Sequence, residues 1–478
     1  MAGLLLLPSL AMELSNDALD VRQILAYVVP AVLSIGAYLL PRLRRDGERP
    51  QLKTPLQGFL CVVLGWVLFA LIGAVPYWIS GALPSFVDGV FESMSGFTTT
   101  GASVFTSVEA VPKALLLWRA LTQFIGGLGI IALFVAVLPA LGAGGVVLFR
   151  SEVASKVLED RLRPRIQDTA KLLWYIYAGL SLAAFLALML CGMSVFDAAC
   201  HAMTSVSTGG FSTNDQSLGG YGAGAQWVVI LFMFLGGTSF LLHGKAMRGD
   251  LKAYWRNEEF ALYMCILLAA VGLMVILLMS TAAPVAPGAE PAGFWTSVRD
   301  SAFQVTSIMT CCGYASADYD RWPDAGRFLL VVLMLIGACS GSTAGGVKVF
   351  RFLLVFRAIG RQLSMLISPS RIVTVRFCAI PVPADALLAA CMLLILFVLT
   401  TIFGGLVLML LGVPMLEAVT GTLTCLSCCG PGLGSVGPAG NFSEIPSLGK
   451  LVLSLVMLMG RLEFYAVLVL FASRRLRR

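Results

Sequence analysis

Charge is scarce in this sequence. Only 12% of its 478 residues are charged, against about a quarter in soluble domains, so the chain has too little water-seeking surface for a soluble enzyme. Histidine is rarer still. His201 and His243 are the only two, and the apolar spans place them on opposite membrane faces, which excludes a bis-histidine haem. Neither has a general acid or base partner at useful spacing, no nucleophile motif occurs, and no helix carries paired carboxylates. The glycine-rich stretch GACSGSTAGGVK at 337–348 lacks the GK[ST] ending and the preceding strand of a phosphate loop. Nothing points to hydrolysis or to a bound organic cofactor, so the chain is read as no enzyme.

What the sequence has instead is apolar length. Hydrophobic residues make up 58% of it, mean hydropathy is +0.89, and apolar runs cover 57–79, 170–191, 259–281, 384–411 and 449–473. Each reaches the roughly 20 residues that cross a bilayer core, where backbone groups must be satisfied within a helix. The net charge of +7 is gathered between spans: around Arg42–Lys53, Arg150–Lys171, Lys245–Arg256 and Lys348–Arg376, and in the tail from Arg474. These stretches are assigned to the cytoplasmic side by the positive-inside rule, and no nucleic acid is implied. The alternate connections carry Asp88, Glu92, Asp215, Asp318, Asp320, Asp324 and Glu444. Residues 2–13 are apolar but follow no basic residue, so they are not read as a cleaved leader. Most of the twelve cysteines fall in apolar spans or short dipping segments and are read as small buried hydrophobes, not disulfides.

One plan recurs four times: FVDGVFESMSGFTTTGA at 86–102, VFDAACHAMTSVSTGGF at 195–211, VRDSAFQVTSIMTCCGY at 298–314 and MLEAVTGTLTCLSCCGP at 415–431. In each, an acid precedes a glycine by thirteen positions: Asp88 and Gly101, Asp197 and Gly210, Asp300 and Gly313, Glu417 and Gly430. Every copy sits between two apolar spans. About nine residues between the acid and the polar run make a helix of roughly 13 Å, which must dip into a core of about 30 Å and stop. The acid is expected to cap the entering end of this helix. The helix's negative end then faces the membrane centre, and extended backbone with glycine at positive φ can turn carbonyls toward a dehydrated cation. This is the plan of a cation pore.

These segments resemble the TrkH/KtrB superfamily of bacterial potassium uptake proteins, and TrkH-type members most. The resemblance is carried by SGFTTTGA, SVSTGGFST, TSIMTCCGYAS and CCGPGLGSVGPAGNF, with WRALTQFIGGLGIIALFVAVLPALG at 118–142, RPRIQDTAKLLW at 163–174, GACSGSTAGGVKVFR at 337–351 and MGRLEFYAVLVLF at 459–471. It implies an all-α polytopic membrane protein with four pseudo-symmetric M1-P-M2 pore repeats around one central pore, preceded by an N-terminal helical region at 1–54. The repeats fall at 55–150, 151–257, 258–380 and 381–478. It further implies a potassium filter made of Thr98, Thr99, Thr100 and Gly101, of Ser207, Thr208, Gly209 and Gly210, of Thr310, Cys311, Cys312 and Gly313, and of Ser427, Cys428, Cys429 and Gly430. Potassium is the transported ion. The implied setting is the bacterial inner membrane with pore loops facing the periplasm, in a homodimer surrounded by lipid. A cytosolic TrkA-type nucleotide-binding subunit would dock on inner loops such as Arg150–Lys171. The sequence departs from the family's pattern in two places. Only about a dozen apolar residues precede Glu13, which places the first full span at 22–41, and cysteines stand at 311, 312, 428 and 429, where Thr, Ala, Asn or aliphatic residues are common.

Two further features are singled out. Ser340, Gly341, Ser342, Thr343, Ala344, Gly345 and Gly346 must interrupt a helix, which reads as a packing kink or, by resemblance, as an intramembrane gate. Arg461 falls near the middle of the run 449–473, where an ionised group needs a wet cavity or a partner. It reads as an electrostatic barrier in the pore or as one half of an ion pair between helices. The rival readings are an intramembrane redox or acyl-transfer enzyme using Cys425, Cys428 and Cys429, and a sodium-permeable or ion-coupled transporter.

Overall fold

A computed structural model describes residues 6–14, 20–43, 55–137, 162–281, 293–370, 373–378 and 380–464. The basic stretches at 44–54 and 150–161, and the tail from 474, lie outside these residues. Among the described residues the secondary structure is helical apart from one two-residue antiparallel ladder, Arg376–Phe377 against Ile380–Pro381. Short and long N-terminal helices, Leu7–Leu14 and Val21–Leu43, come first.

The rest is one unit built four times: a long entering helix, a short helix, and a returning helix. The entering helices are Pro55–Ile79, Leu162–Leu190, Glu258–Thr281 and Ala384–Leu410. Their apolar windows are long enough to span a bilayer, and they leave Leu64, Leu68, Leu182, Leu186, Leu268, Ile276, Ile395 and Ile402 exposed. On a soluble protein such stripes would be unstable. In a bilayer they face lipid, so the chain is a multi-pass membrane protein.

The short helices are Phe86–Phe97, Val195–Val206, Phe294–Met309 and Met415–Ser427. Beyond their first turns they are largely buried, polar residues included. Each returning helix packs against the short helix of the following unit. Lys113–Val137 lies on the second, Ala223–Gly237 on the third and Asp324–Ile336 on the fourth, while Ser447–Arg461 returns to the first. The ring therefore closes in chain order, and a buried ion pair from Lys450 to Asp88, 2.6 Å, marks the closure.

Among the described residues, two returning helices are interrupted and the fourth ends early. The third gives way to irregular chain between Ile336 and Val349, which includes the expected interruption at 340–346. The second bends by 98° between Gly237 and Phe240, and the fourth stops at Arg461, with Glu463 and Phe464 at positive φ. The sequence reading had only the first of these. The run 449–473 is thus no single helix through the described residues, and Arg461 ends the helix instead of lying within it.

Candidate functional site

Each short helix ends in the same local structure. Thr98, Ser207 and Thr310 cap the first three, and Ser427 is the last helical residue of the fourth. Thr98, Thr310 and Ser427 donate their hydroxyls to the carbonyl four residues back, at 2.7, 2.7 and 2.8 Å. The next residue is left-handed in all four copies, with φ of 54° at Thr99, 52° at Thr208, 55° at Cys311 and 55° at Cys428. Its successor turns its N–H back into the helix: Thr100 to Ser95, Gly209 to Thr204 and Cys312 to Ser307 at 2.8 Å, and Cys429 to Thr424 at 2.9 Å. With the donors consumed by the helix, the carbonyls are what each segment presents. Gly101, Gly210, Gly313 and Gly430 then take φ of 83°, 81°, 84° and 100°, a region costly for residues with a Cβ.

The four segments touch one another in a closed circuit. A Cβ placed on Gly101 would lie 2.2 Å from the Gly209 carbonyl oxygen, and one on Gly210 would lie 2.0 Å from that of Cys312. On Gly313 it would meet the Cys429 oxygen at 1.9 Å, and on Gly430 the Thr100 oxygen at 2.8 Å. One carbonyl per repeat is therefore set against the glycine of the preceding segment, and that of the first repeat against the fourth, which closes the circuit. Such a ring of backbone oxygens can replace the water around a cation. The ring is not fully symmetric. Gln123 accepts the Phe211 N–H on Oε1 at 3.0 Å, which fixes its amide, so Nε2 donates to the Gly209 carbonyl at 2.6 Å.

Outside the ring lies a cavity of about 100 Å³ lined by Gly101, Gly210, Gly313, Gly430, Phe211 and Arg119 among others. Arg119 is buried there against Glu92 at 2.8 Å and stacks over Phe211. Glu92 also holds the Val104 N–H at 2.9 Å. Glu92 was counted among the outer acids. It is instead an internal strut, and neither it nor Gln123 was singled out from the sequence.

The acids proposed as helix caps are not the caps. Ser85 and Ser194 are the N-caps of the first two short helices, accepting from Val87 and Asp197, and Gly293 and Pro414 precede the other two. Asp88, Asp197 and Glu417 lie in the first turn, still near the positive dipole end. Asp300 lies in the second turn, because the third short helix starts earlier, at Phe294. Three of the acids have other partners: Lys450 for Asp88, Ser194 and Thr213 for Asp197, Arg299 for Asp300.

Beneath the ring runs the interruption. Thr343 places its hydroxyl 3.0 Å from the Val206 carbonyl oxygen, 3.1 Å from that of Gly236 and 3.2 Å from the Thr208 hydroxyl. Gly346 donates its N–H to Ser427 at 3.0 Å, and a Cβ on Gly345 would lie 1.9 Å from that same carbonyl oxygen. Residues 343–346 therefore press on the ends of the second and fourth short helices. Both flanks are tied to Glu259, whose Oε1 accepts from Ser340 N at 2.6 Å and Phe350 N at 3.2 Å. Arg461 reaches in from the last helix and donates to Thr343 O at 2.8 Å and Gly126 O at 3.1 Å. It is buried, and among the described residues no carboxylate pairs with it. The interhelical ion pair expected as one alternative is thus absent there, and Glu463 pairs with Arg351 instead. Arg461 is a latch between the loop and the first repeat, a role that its position in an apolar run could not reveal.

The chain matches the family model described as "TrkH: Cation transport protein" over residues 32–476. It is 37% identical over 456 residues to the Trk system potassium uptake protein TrkH of Halomonas elongata, covering 93% of this chain and 91% of that one. Against the protein of the same name in Escherichia coli K12 it is 35% identical over 443 residues, 92% and 89% of the two chains. The crystal structure of the potassium transporter TrkH from Vibrio parahaemolyticus superposes with a TM-score of 0.86 at 31% identity, over 98% of this chain and 96% of that one.

Proposed function

The chain belongs to the TrkH family of cation transport proteins, and from that premise we propose that it is a potassium uptake protein of the bacterial inner membrane. Potassium passes through the ring at Thr98–Gly101, Ser207–Gly210, Thr310–Gly313 and Ser427–Gly430, entering from the cavity at the Arg119 side. One observation carries this reading: four segments share one backbone conformation, spend their N–H groups on their own helices and close into a circuit of carbonyls. All four short helices end where their ring segments begin, so their negative dipole ends favour a cation at the circuit.

Loop 340–346 is the gate. In this reading it closes the path from below, and its contacts with Arg461, Glu259 and the short-helix ends support that role. The guanidinium adds a positive charge in a low-dielectric setting, where it repels a cation far more than in water. Opening requires the Arg461 and Thr343 contacts to break. Control by nucleotide would come from a TrkA-type cytosolic subunit on the basic inner face, and the protein would act as a homodimer.

The test is rubidium uptake into liposomes holding the purified protein, with sodium as competitor. Uptake that rubidium and potassium saturate and sodium does not displace supports the reading. Equal competition by sodium overturns the potassium assignment in favour of a sodium-permeable transporter.

A further inference from the structure

The returning helix of the second repeat turns by 98° between Gly237 and Phe240, so its continuation, Phe240–Met247, runs across the span direction. A turn at Gly249, φ 93°, and a five-residue helix, Lys252–Arg256, then lead into the third entering helix at Glu258. His243 fastens this hairpin, with Nδ1 2.7 Å from the Tyr254 hydroxyl and Nε2 2.9 Å from the Leu235 carbonyl oxygen. Both ends of the hairpin hold loop 340–346. Phe240 donates its N–H to the Gly341 carbonyl at 3.0 Å, and Glu259, just past the other end, accepts from Ser340 and Phe350. Segment 240–259 is thus a strap tied to the loop at each end, with a foot at 245–256 between the ties.

The foot presents two kinds of side chain. Met247, Leu251 and Trp255 are 71%, 66% and 73% exposed, and Arg248, Lys252 and Arg256 are exposed beside them. With Lys245 the stretch has four basic residues against one acid, Asp250. Among the described residues none of the four basic groups has a carboxylate within 4 Å. A neighbouring helix fixes the depth of the foot. A Cβ on Gly244 would lie 3.3 Å from Leu172 and 3.6 Å from Ile176, at the start of the apolar window Thr169–Leu190. Trp174 and Tyr175 are exposed at that level, next to an exposed Lys171. Exposed aromatics beside basic residues at the end of a span mark the layer where acyl chains meet headgroups. Large apolar side chains interleaved with arginine and lysine in that layer suit a phospholipid with an anionic headgroup. An acidic protein would match the charges but would leave the apolar side chains without their acyl surroundings.

We propose that 245–256 is a binding foot for anionic phospholipid, with its basic side chains on the headgroup phosphate and Met247, Leu251 and Trp255 among the acyl chains, and that the strap carries this contact to loop 340–346. Lipid bound at the foot favours the arrangement in which both ends of the strap engage the loop, and so lowers basal flux. The effect on flux rests on the loop being the gate. The lipid contact does not.

The experiment uses the full-length protein in phosphatidylcholine bilayers with rising fractions of phosphatidylglycerol, either lipid being supplied with brominated acyl chains to quench tryptophan. The Trp255 signal is the difference between the parent and Trp255→Phe. Brominated phosphatidylglycerol should quench it at a fraction at least about fivefold lower than brominated phosphatidylcholine requires. The variant carrying Arg248→Gln, Lys252→Gln and Arg256→Gln together should lose that preference. Basal rubidium flux should fall severalfold as phosphatidylglycerol rises in the parent and stay level in the variant. Where the triple variant does not accumulate, Arg248→Gln alone should lower the preference, and added salt should weaken it in the parent. No preference in the parent, or an equal one in the variants, overturns the lipid foot and leaves the surface to a protein partner. A preference with flux indifferent to lipid in a transporting parent overturns the coupling to the loop. Selective quenching without rubidium flux in any lipid would count against the transport reading and leave the foot standing.

Discussion

Replacing Gly313 by alanine should damage ion discrimination more than it damages folding. Two costs can be separated. The left-handed backbone, φ 84°, costs a residue with a Cβ roughly 1–2 kcal/mol. The new methyl would also lie 1.9 Å from the Cys429 carbonyl oxygen, so one of the two segments must move by about an ångström to restore van der Waals contact, at a further 1–3 kcal/mol or so. The sum, on the order of 2–5 kcal/mol, is within what a folded domain tolerates, and the displacement falls on a ring carbonyl. Because about 1.4 kcal/mol is tenfold in an equilibrium, the rubidium over sodium preference should fall at least tenfold. The distances also rank the four glycines. Gly313 and Gly210, at 1.9 and 2.0 Å, should be most sensitive, Gly101 at 2.2 Å next, and Gly430 at 2.8 Å least. Gly192 supplies the control, since its φ is 87° but nothing lies within 4 Å of an added Cβ. Gly192→Ala should lower thermal stability and leave selectivity alone. Competitive rubidium uptake, normalised to accumulated protein, measures all five. An unchanged ion ratio in Gly313→Ala, or a change as large in Gly192→Ala, would refute the reasoning.

Arg461→Gln should accumulate normally and raise rubidium flux without changing ion preference. Arg461→Lys separates charge from latch: flux stays low if the positive charge is the barrier, and rises if the forked contacts to Thr343 and Gly126 hold the loop. Glu259→Ala removes the shared acceptor of two backbone donors, a loss on the order of 3 kcal/mol or about a hundredfold in the closed population. Basal flux without the regulator should rise accordingly, while Glu259→Gln, which keeps an acceptor oxygen, should stay close to the parent. Gly345→Ala together with Gly346→Ala should lift the loop off Ser427, where an added Cβ would lie 1.9 Å from a carbonyl oxygen. Regulation unchanged in that double variant would remove the gate assignment.

The architecture was legible because a bilayer leaves few options. Apolar runs too long for anything but helices, and dipping segments too short to cross, define span, dip and span four times over. The repeated acid-to-glycine spacing placed Gly101, Gly210, Gly313 and Gly430 in register, and the structure gives them one conformation. What the sequence did not reveal depends on partners distant in the chain. Ser85 and Ser194 outcompete the acids as caps because a short hydroxyl one position before the helix reaches the free N–H groups directly. Glu92 and Arg119 are 27 residues apart, and Glu259 meets Ser340 across 81. No local pattern encodes either pair. The end of the last helix at Arg461 was hidden because the apolar run resumes after Glu463, at Phe464 and beyond, although the backbone of both residues turns left-handed.

The third and fourth repeats differ from the first two in a way that bears on how the site works. Threonine follows the helix cap at Thr99 and Thr208, where the later repeats have Cys311 and Cys428. All four residues take the same left-handed conformation, with φ between 52° and 55°, so the side chain does not set the backbone there. The N–H bonds into the helices set it, and they are present in every repeat. A ring whose geometry comes from main-chain bonding tolerates exchange of hydroxyl for thiol without moving its carbonyls. The exchange does change what surrounds them. Thr208 can share a hydrogen bond with Thr343 of the gate loop, whereas the Cys429 thiol of the fourth repeat is engaged with the Ile308 carbonyl of the third short helix at 3.6 Å. The second repeat is thereby coupled to the loop below it and the fourth to its neighbour beside it. Thr208→Cys should therefore weaken closure of the gate and raise basal rubidium flux, with the ion ratio preserved because the backbone ring is untouched. A fall in selectivity in that variant would mean that the side chain, not the helix-tied backbone, positions the carbonyls.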